Sequence, residues 1–204
     1  MKQIRKTGWR SLLCMMHCAL CMALCTACNV ENKYNTTYPV NFIFLTNIYQ
    51  TSALTQAVGN PGMFVMVKPY TNKGVTHLKL TPNQGTWTDS QLDIQMNTAI
   101  GNEKLSYNSM GAGKGLIIGL SNSFGLKCYD LQCPNCLVEH GKAIYELRWT
   151  DNGRYLECPK CLRVYNQDND DGYIVRNGHE DDKMLIQYRY VVYNKTDGRL
   201  VVHN

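Results

Sequence analysis

From Asn29 to Lys127 the chain contains no cysteine. Five stand before that stretch (Cys14, Cys18, Cys21, Cys25 and Cys28) and five after it (Cys128, Cys133, Cys136, Cys158 and Cys161). A disulfide framework spread through a small secreted fold is therefore excluded as the general account of the cysteines. There is equally no surplus of charge in the body of the chain. The formal net charge of +5 falls to a surplus of one once Lys2, Arg5, Lys6 and Arg10 are set aside, and the remaining basic residues are dispersed. That excludes the clustered basic face which a nucleic-acid backbone demands. No apolar run reaches the roughly 20 residues of a membrane-spanning helix. After Tyr38 no long stretch carries the apolar spacing of an amphipathic helix. At 204 residues the chain suits one well-packed domain and is short for two.

What is present at the amino terminus is an address. Met1 to Arg10 is basic and Ser11 to Leu24 is mostly apolar, the layout of a secretory signal, and polar Asn29, Glu31, Asn32 and Lys33 follow. Leu24-Cys25-Thr26-Ala27-Cys28 resembles the lipobox of bacterial lipoproteins, in which small residues precede a cysteine that is lipidated and becomes the new first residue. Cys25 stands where that family usually has Leu. The resemblance implies removal of residues 1–27 and lipidation at Cys28. Residues 28–37 then form a polar, mobile tether, and the protein is held in the bacterial cell envelope on a membrane outside the cytoplasm. An ordinary cleaved signal, leaving Cys28 as a free thiol, is the alternative.

From Tyr38 to Asn204, short β-rich runs alternate with Gly, Asn, Asp and Pro clusters, which predicts one all-β domain. Val40, Phe42 and Phe44 alternate on an early strand; Met63 to Val67 and Leu116 to Leu120 read as buried strands. Ser52 to Val58 reads as one or two helical turns ended by Gly59. Leu185 to Tyr193 is the longest strand candidate, with Ile186, Tyr188, Tyr190 and Val192 on one face. Asn194 to Gly198 would turn it into a hairpin with Arg199 to Val202. The polar stretch from Thr81 to Gly115 reads as an elaborated loop. Its Gly111-Ala112-Gly113-Lys114-Gly115 lacks the early Gly and the terminal Ser or Thr of a phosphate loop, so a nucleotide site is not expected there.

The chemistry concentrates in two Cys-Pro-x-Cys units, Cys133-Pro134-Asn135-Cys136 and Cys158-Pro159-Lys160-Cys161. CxxC spacing lets one backbone turn aim two thiolates at one ion, and Pro restricts that turn in advance. Two such hooks complete a tetrahedral set and point to a metal-binding subdomain over about residues 128–166, of zinc-ribbon or rubredoxin-like type. Two short-loop disulfides formed after export are the bland alternative. A thioredoxin-like redox site is disfavoured because neither unit precedes an amphipathic helical run. Cys128 reads as a buried strand thiol and not a fifth ligand. His140 and His179 read as exposed loop residues.

Leu126 to Asp130 before the first hook, Leu162 to Asn166 after the second, Gly172-Tyr173, Asn177-Gly178 and the closing hairpin together resemble a Rieske domain, over roughly residues 115 to 204. The resemblance implies an antiparallel β-sandwich with a small metal-binding subdomain whose paired loops hold a [2Fe-2S] cluster. The chain departs from that family where it matters chemically: the family pairs CxH with CxxH, whereas Cys136 and Cys161 stand here near the histidine places. Four thiolates make a centre more negative and remove the imidazole ligation associated with high Rieske potentials.

A lipoprotein signal threads an unfolded chain, and no twin arginine marks folded export; only Arg5-Lys6 is present. Zinc acquired after export, as a structural clamp, is therefore favoured over [2Fe-2S] or mononuclear iron. Zinc closed by four thiolates leaves no position for water, so no enzyme is expected. The partners expected are a membrane, reached through the lipid, and an envelope protein of unknown kind, with no nucleic acid. The alternatives are an electron carrier of the envelope and a CxxC thiol or disulfide protein.

Overall fold

The computed structural model describes residues 33–96 and 109–204. The segment read as a signal, Cys28 and the start of the expected tether lie outside the described residues, as do residues 97–108 of the expected loop. Among the described residues no helix is long and apolar enough to cross a membrane.

The chain runs through β1 (Val40–Leu45), α1 (Ala53–Gly59), β2 (Met63–Asn72), β3 (Val75–Pro82), α2 (Asp89–Leu92), β4 (Asp93–Gln95), β5 (Ser109–Met110), β6 (Leu116–Ser121) and β7 (Gly125–Asp130). It continues through α3 (Pro134–His140), β8 (Arg148–Thr150), β9 (Tyr155–Glu157), β10 (Val164–Tyr165), β11 (Ile174–Arg176), β12 (Tyr190–Asn194) and β13 (Arg199–His203). These strands make three sheets, ordered β4-β3-β2-β6-β7, β12-β13-β1-β5 and β11-β10-β9-β8. Every pairing between these strands is antiparallel. Among the described residues the protein is mostly β, with three short helices.

The five-stranded sheet is the middle layer, and the sequence shows why. Successive side chains of a strand point to opposite faces, and Met63 to Val67 and Leu116 to Ile118 are apolar without interruption because both faces are covered. Met63, Val65, Val67, Leu116, Ile118 and Cys128 enter one core with Phe42, Phe44, Leu200 and Val202 of the second sheet and Leu54 of α1. The intervening Phe64, Met66, Ile117 and Tyr129 enter another core with Leu147, Leu156, Tyr165 and three of the hook cysteines. A fully buried side chain of this size contributes about 1.5–3 kcal/mol. α1 is short but capped, the Ser52 side chain accepting from Thr55 N at 3.2 Å.

Several expectations need correction. Part of the Thr81–Gly115 stretch is structured: it includes the end of β3, α2, β4 and β5. The hairpin forms through Asn194 to Gly198, but its first strand is only Tyr190–Asn194, and the expected face does not persist. Ile186 and Tyr188 pack on the first core, the chain bends at exposed Arg189, and from there Val191 and Tyr193 face inward while Tyr190 and Val192 are exposed. The segment serves two cores, since Leu185 packs on the second. The stretch read as a mobile tether is fastened before its expected end. Tyr34 bridges Gln187, Asn35 N donates to Gln187 O at 2.8 Å, and the Arg189 guanidinium lies over the Tyr34 ring.

Candidate metal centre

The four hook cysteines converge although Cys136 and Cys158 are separated by β8 and β9. Their Sγ atoms all lie within 4.8 Å of one another. Two close approaches run between the hooks: Cys133 to Cys161 at 3.7 Å and Cys136 to Cys158 at 3.6 Å. A tetrahedron of sulfurs around one ion at a metal–sulfur length of about 2.3 Å has an edge of about 3.8 Å. The spacing fits one ion. It is short for a two-iron cluster, in which sulfurs on opposite irons are set apart by the bridging sulfides, and it is well beyond the roughly 2.05 Å of a disulfide.

Each hook has its own local geometry. In the first, Cys133 is the N-cap of α3, with Pro134 at the first helical position and Gly141 in the left-handed conformation at the end. A short helix thus begins within the first CxxC itself. It is only seven residues long, buried at Pro134, Asn135 and Cys136 and exposed from Val138 onward, so it is not the amphipathic run of a thioredoxin-like site. The second hook stays a turn, closed by Leu162 at φ +60°. In both, the carbonyl of the first cysteine accepts from the residue four positions on, Leu137 at 3.1 Å and Leu162 at 2.9 Å. The first cysteines are tied outward as well, Cys133 N donating to Tyr145 O at 2.9 Å and Cys158 N to Arg163 O at 3.0 Å.

Burial sets the electrostatics. Cys133, Cys136 and Cys158 are buried and Cys161 is partly exposed. Backbone amides donate to sulfur within each hook, from Cys136 to Cys133 and from Lys160 and Cys161 to Cys158. Without a metal the three buried thiols share their protons unequally. The Cys133 thiol lowers Cys158 to about 5, its own ionisation is pushed up by hydrogen bonding to Cys158 and by burial, and burial raises Cys136 to about 12. A divalent cation would replace the protons on the raised pair and offset half of the charge of four thiolates.

A second layer holds the thiols in place. The Tyr165 hydroxyl, fully buried, lies 3.5 Å from Cys133 Sγ and accepts from Asn135 Nδ2 at 2.9 Å. Asn135 also clasps the Lys183 backbone, donating to its carbonyl and accepting from its amide at 2.9 and 2.8 Å. On the Cys161 side Arg163 donates to that sulfur and to Asp182 Oδ2, the latter at 2.6 Å, and the guanidinium holds the Asp182 carboxyl below its usual range. Tyr165, Asn135 and Arg163 carry no signal in the sequence beyond their nearness to the hooks.

Cys128 lies on β7 in the first core, buried and outside the cysteine group, its thiol pushed up by burial. His140, exposed beside the Tyr145 ring, and His179 are outside the group too. The loop at Gly111 serves a buried carboxylate: Ala112 N and Gly113 N donate to Asp130 at 2.6 and 3.0 Å. Gln132 N and the Tyr188 hydroxyl complete that cradle at 2.8 and 2.7 Å. No protein-family model matches the chain, and neither a curated protein nor a solved structure is found similar to it.

Proposed function

We propose that the protein is a lipid-anchored envelope protein with a Rieske-like β fold, in which one zinc ion held by Cys133, Cys136, Cys158 and Cys161 clamps a small subdomain onto the central sheet. The observation that carries the metal reading is the interleaving of the two hooks, with cross-hook sulfur separations of 3.6 and 3.7 Å near the edge of a single tetrahedron. The signal-like leader and the residues around Cys28 support the anchor, and threaded export favours an ion taken up afterwards. Four thiolates fill a tetrahedral ion, so the centre stabilises structure and offers no site for hydrolysis. The Rieske-like reading rests on the residues flanking the hooks and on a cysteine-bearing sheet that packs against a larger β body.

A second reading is an electron carrier with one iron on the same four sulfurs. It is favoured by the partial exposure of Cys161 and the exposed Leu162 beside it, which give an electron a short exit. Elemental analysis and a visible spectrum of protein isolated anaerobically from its own membrane separate the two. A colourless sample with about one zinc per chain supports the clamp, whereas iron with charge-transfer bands supports the carrier. Four oxidised cysteines without metal would discard both.

A further inference from the structure

We propose that the end of the molecule where five turns meet is a binding cleft for a neutral, hydroxyl-rich ligand of saccharide type. The cleft encloses about 470 Å³ between the entry to β2, the exit of β3, the β6–β7 and β8–β9 turns and the segment after β10. That volume lies within the usual range of small-molecule sites.

The cleft is built, not left over. Asn83 stitches three of its elements together: Oδ1 accepts from Phe64 N at 2.9 Å, and Nδ2 donates to the carbonyls of Gly62 and Gly153 at 3.1 and 3.2 Å. Gly153 has φ +83°, and a Cβ there would overlap the Asn83 carbonyl, so the two turns meet backbone to backbone. Asn122 fastens a fourth element by donating its amide and its side chain to Asp168. A frame tied in this way spares a ligand the ordering cost of loops.

The lining selects by chemistry. Pro61 and Tyr155 are its only sizeable apolar bodies, which disfavours an apolar ligand. Its one carboxylate, Asp168, already accepts from Asn122 at both oxygens, which disfavours a metal cation. Its one cation, Arg154, lies over the Tyr155 ring with no carboxylate partner among the described residues; one guanidinium in a cleft that also holds a carboxylate is weak provision for a phosphate. What remains is amide chemistry: Asn152 offers a donor and an acceptor, Gln84 its Oε1 and Asn166 its Nδ2, the two roles of a sugar hydroxyl, while Gln84 Nε2 donates to Gly62 O at 3.4 Å and Asn166 Oδ1 accepts from Asp168 N at 2.9 Å. Gln167 is buried at 2 % exposure and donates to Arg154 O at 3.0 Å, while its Oε1 has no hydrogen-bond partner.

One wall comes from the central sheet and the other from the cysteine-bearing sheet, so the metal centre positions half of the cleft. That last link alone rests on the clamp reading. The test is calorimetry and saturation-transfer NMR on the metal-loaded domain with maltose, cellobiose and N,N′-diacetylchitobiose, and with phosphate and calcium as competing probes. Saturable binding of at least one disaccharide is expected. Replacing Asn152 and Arg154 by Ala together should weaken it at least about tenfold, as expected for lost hydrogen bonds, while Lys195→Ala in the β12–β13 turn leaves it unchanged. Both are exposed turn residues, and near-UV dichroism checks that the double variant is folded. No saturable binding of any disaccharide up to about 10 mM, binding indifferent to the double variant, or binding of phosphate or calcium alone would each overturn the proposal.

Discussion

Stripping the metal should unfold one core of this protein and spare the other. The cysteine-bearing sheet consists of strands of two or three residues, and three of the four thiols are among the buried residues of its core. Within a unit under about 70 residues, a core alone rarely supplies more than about 3–5 kcal/mol. Structural zinc contributes an apparent 10–16 kcal/mol or so near neutral pH, so the proposed clamp would outweigh everything else holding this layer. Two tryptophans report on the two cores separately. Trp149 packs against the second core and donates to Thr81 O at 2.8 Å, and Trp87 packs against the first. The third, Trp9, precedes Cys28. In Trp87→Phe protein lacking residues 1–27, chelation should shift Trp149 fluorescence to the red and induce binding of an apolar dye as Phe64, Met66, Ile117 and Tyr129 lose their cover. In Trp149→Phe protein, Trp87 should change little. Unchanged Trp149 emission after complete metal removal, or collapse of both reporters together, would refute the reasoning.

Tyr165→Phe removes a hydroxyl that touches Cys133 Sγ and accepts from Asn135; a metal-competition titration should show affinity lowered about 10–100-fold, with one equivalent still bound at saturation. Asp130→Asn replaces one of two acceptor oxygens by an NH₂ group and leaves Ala112 N or another donor of the cradle unpaired, which should cost about 1–3 kcal/mol in urea unfolding. Cys128→Ala should lower stability by about 1–2 kcal/mol as a small core truncation and leave metal stoichiometry unchanged; loss of the ion in that variant would place Cys128 in the centre after all. Acidification should release the metal, because Cys133 and Cys136 are raised and protonated at neutral pH and the ion must displace both protons. Affinity then falls by at least about 100-fold per pH unit, a slope that a chromophoric competitor measures between about pH 6 and 7.5.

Features with local signals were legible in the sequence. The ligand set stood out because CxxC and its Pro act within four residues; α1 was visible through Ser52 and Gly59, and the hairpin through Asp197-Gly198, where Gly198 adopts φ +65°. Features set by the tertiary arrangement were not. The unbroken apolar runs of β2 and β6 carried the information that both faces are covered, but not which layers cover them. The side-chain period of Leu185 to Tyr193 breaks at Arg189 because one segment passes between two cores, and no periodic pattern encodes that passage. α3 escaped because only its first turn is buried, leaving no amphipathic stripe to read. The support around the sulfurs from Asn135 on α3 and from Arg163 and Tyr165 after the second hook comes from two separate stretches of the chain, which meet only once the hooks have closed.

X-ray absorption at the metal edge of the purified protein, combined with acid-labile sulfide and metal counts, bears most directly on the central claim. One zinc with four sulfur neighbours at about 2.3 Å and no second metal in its shell is the predicted result. A metal–metal vector with labile sulfide, or hook cysteines joined to each other and no ion at all, would contradict it.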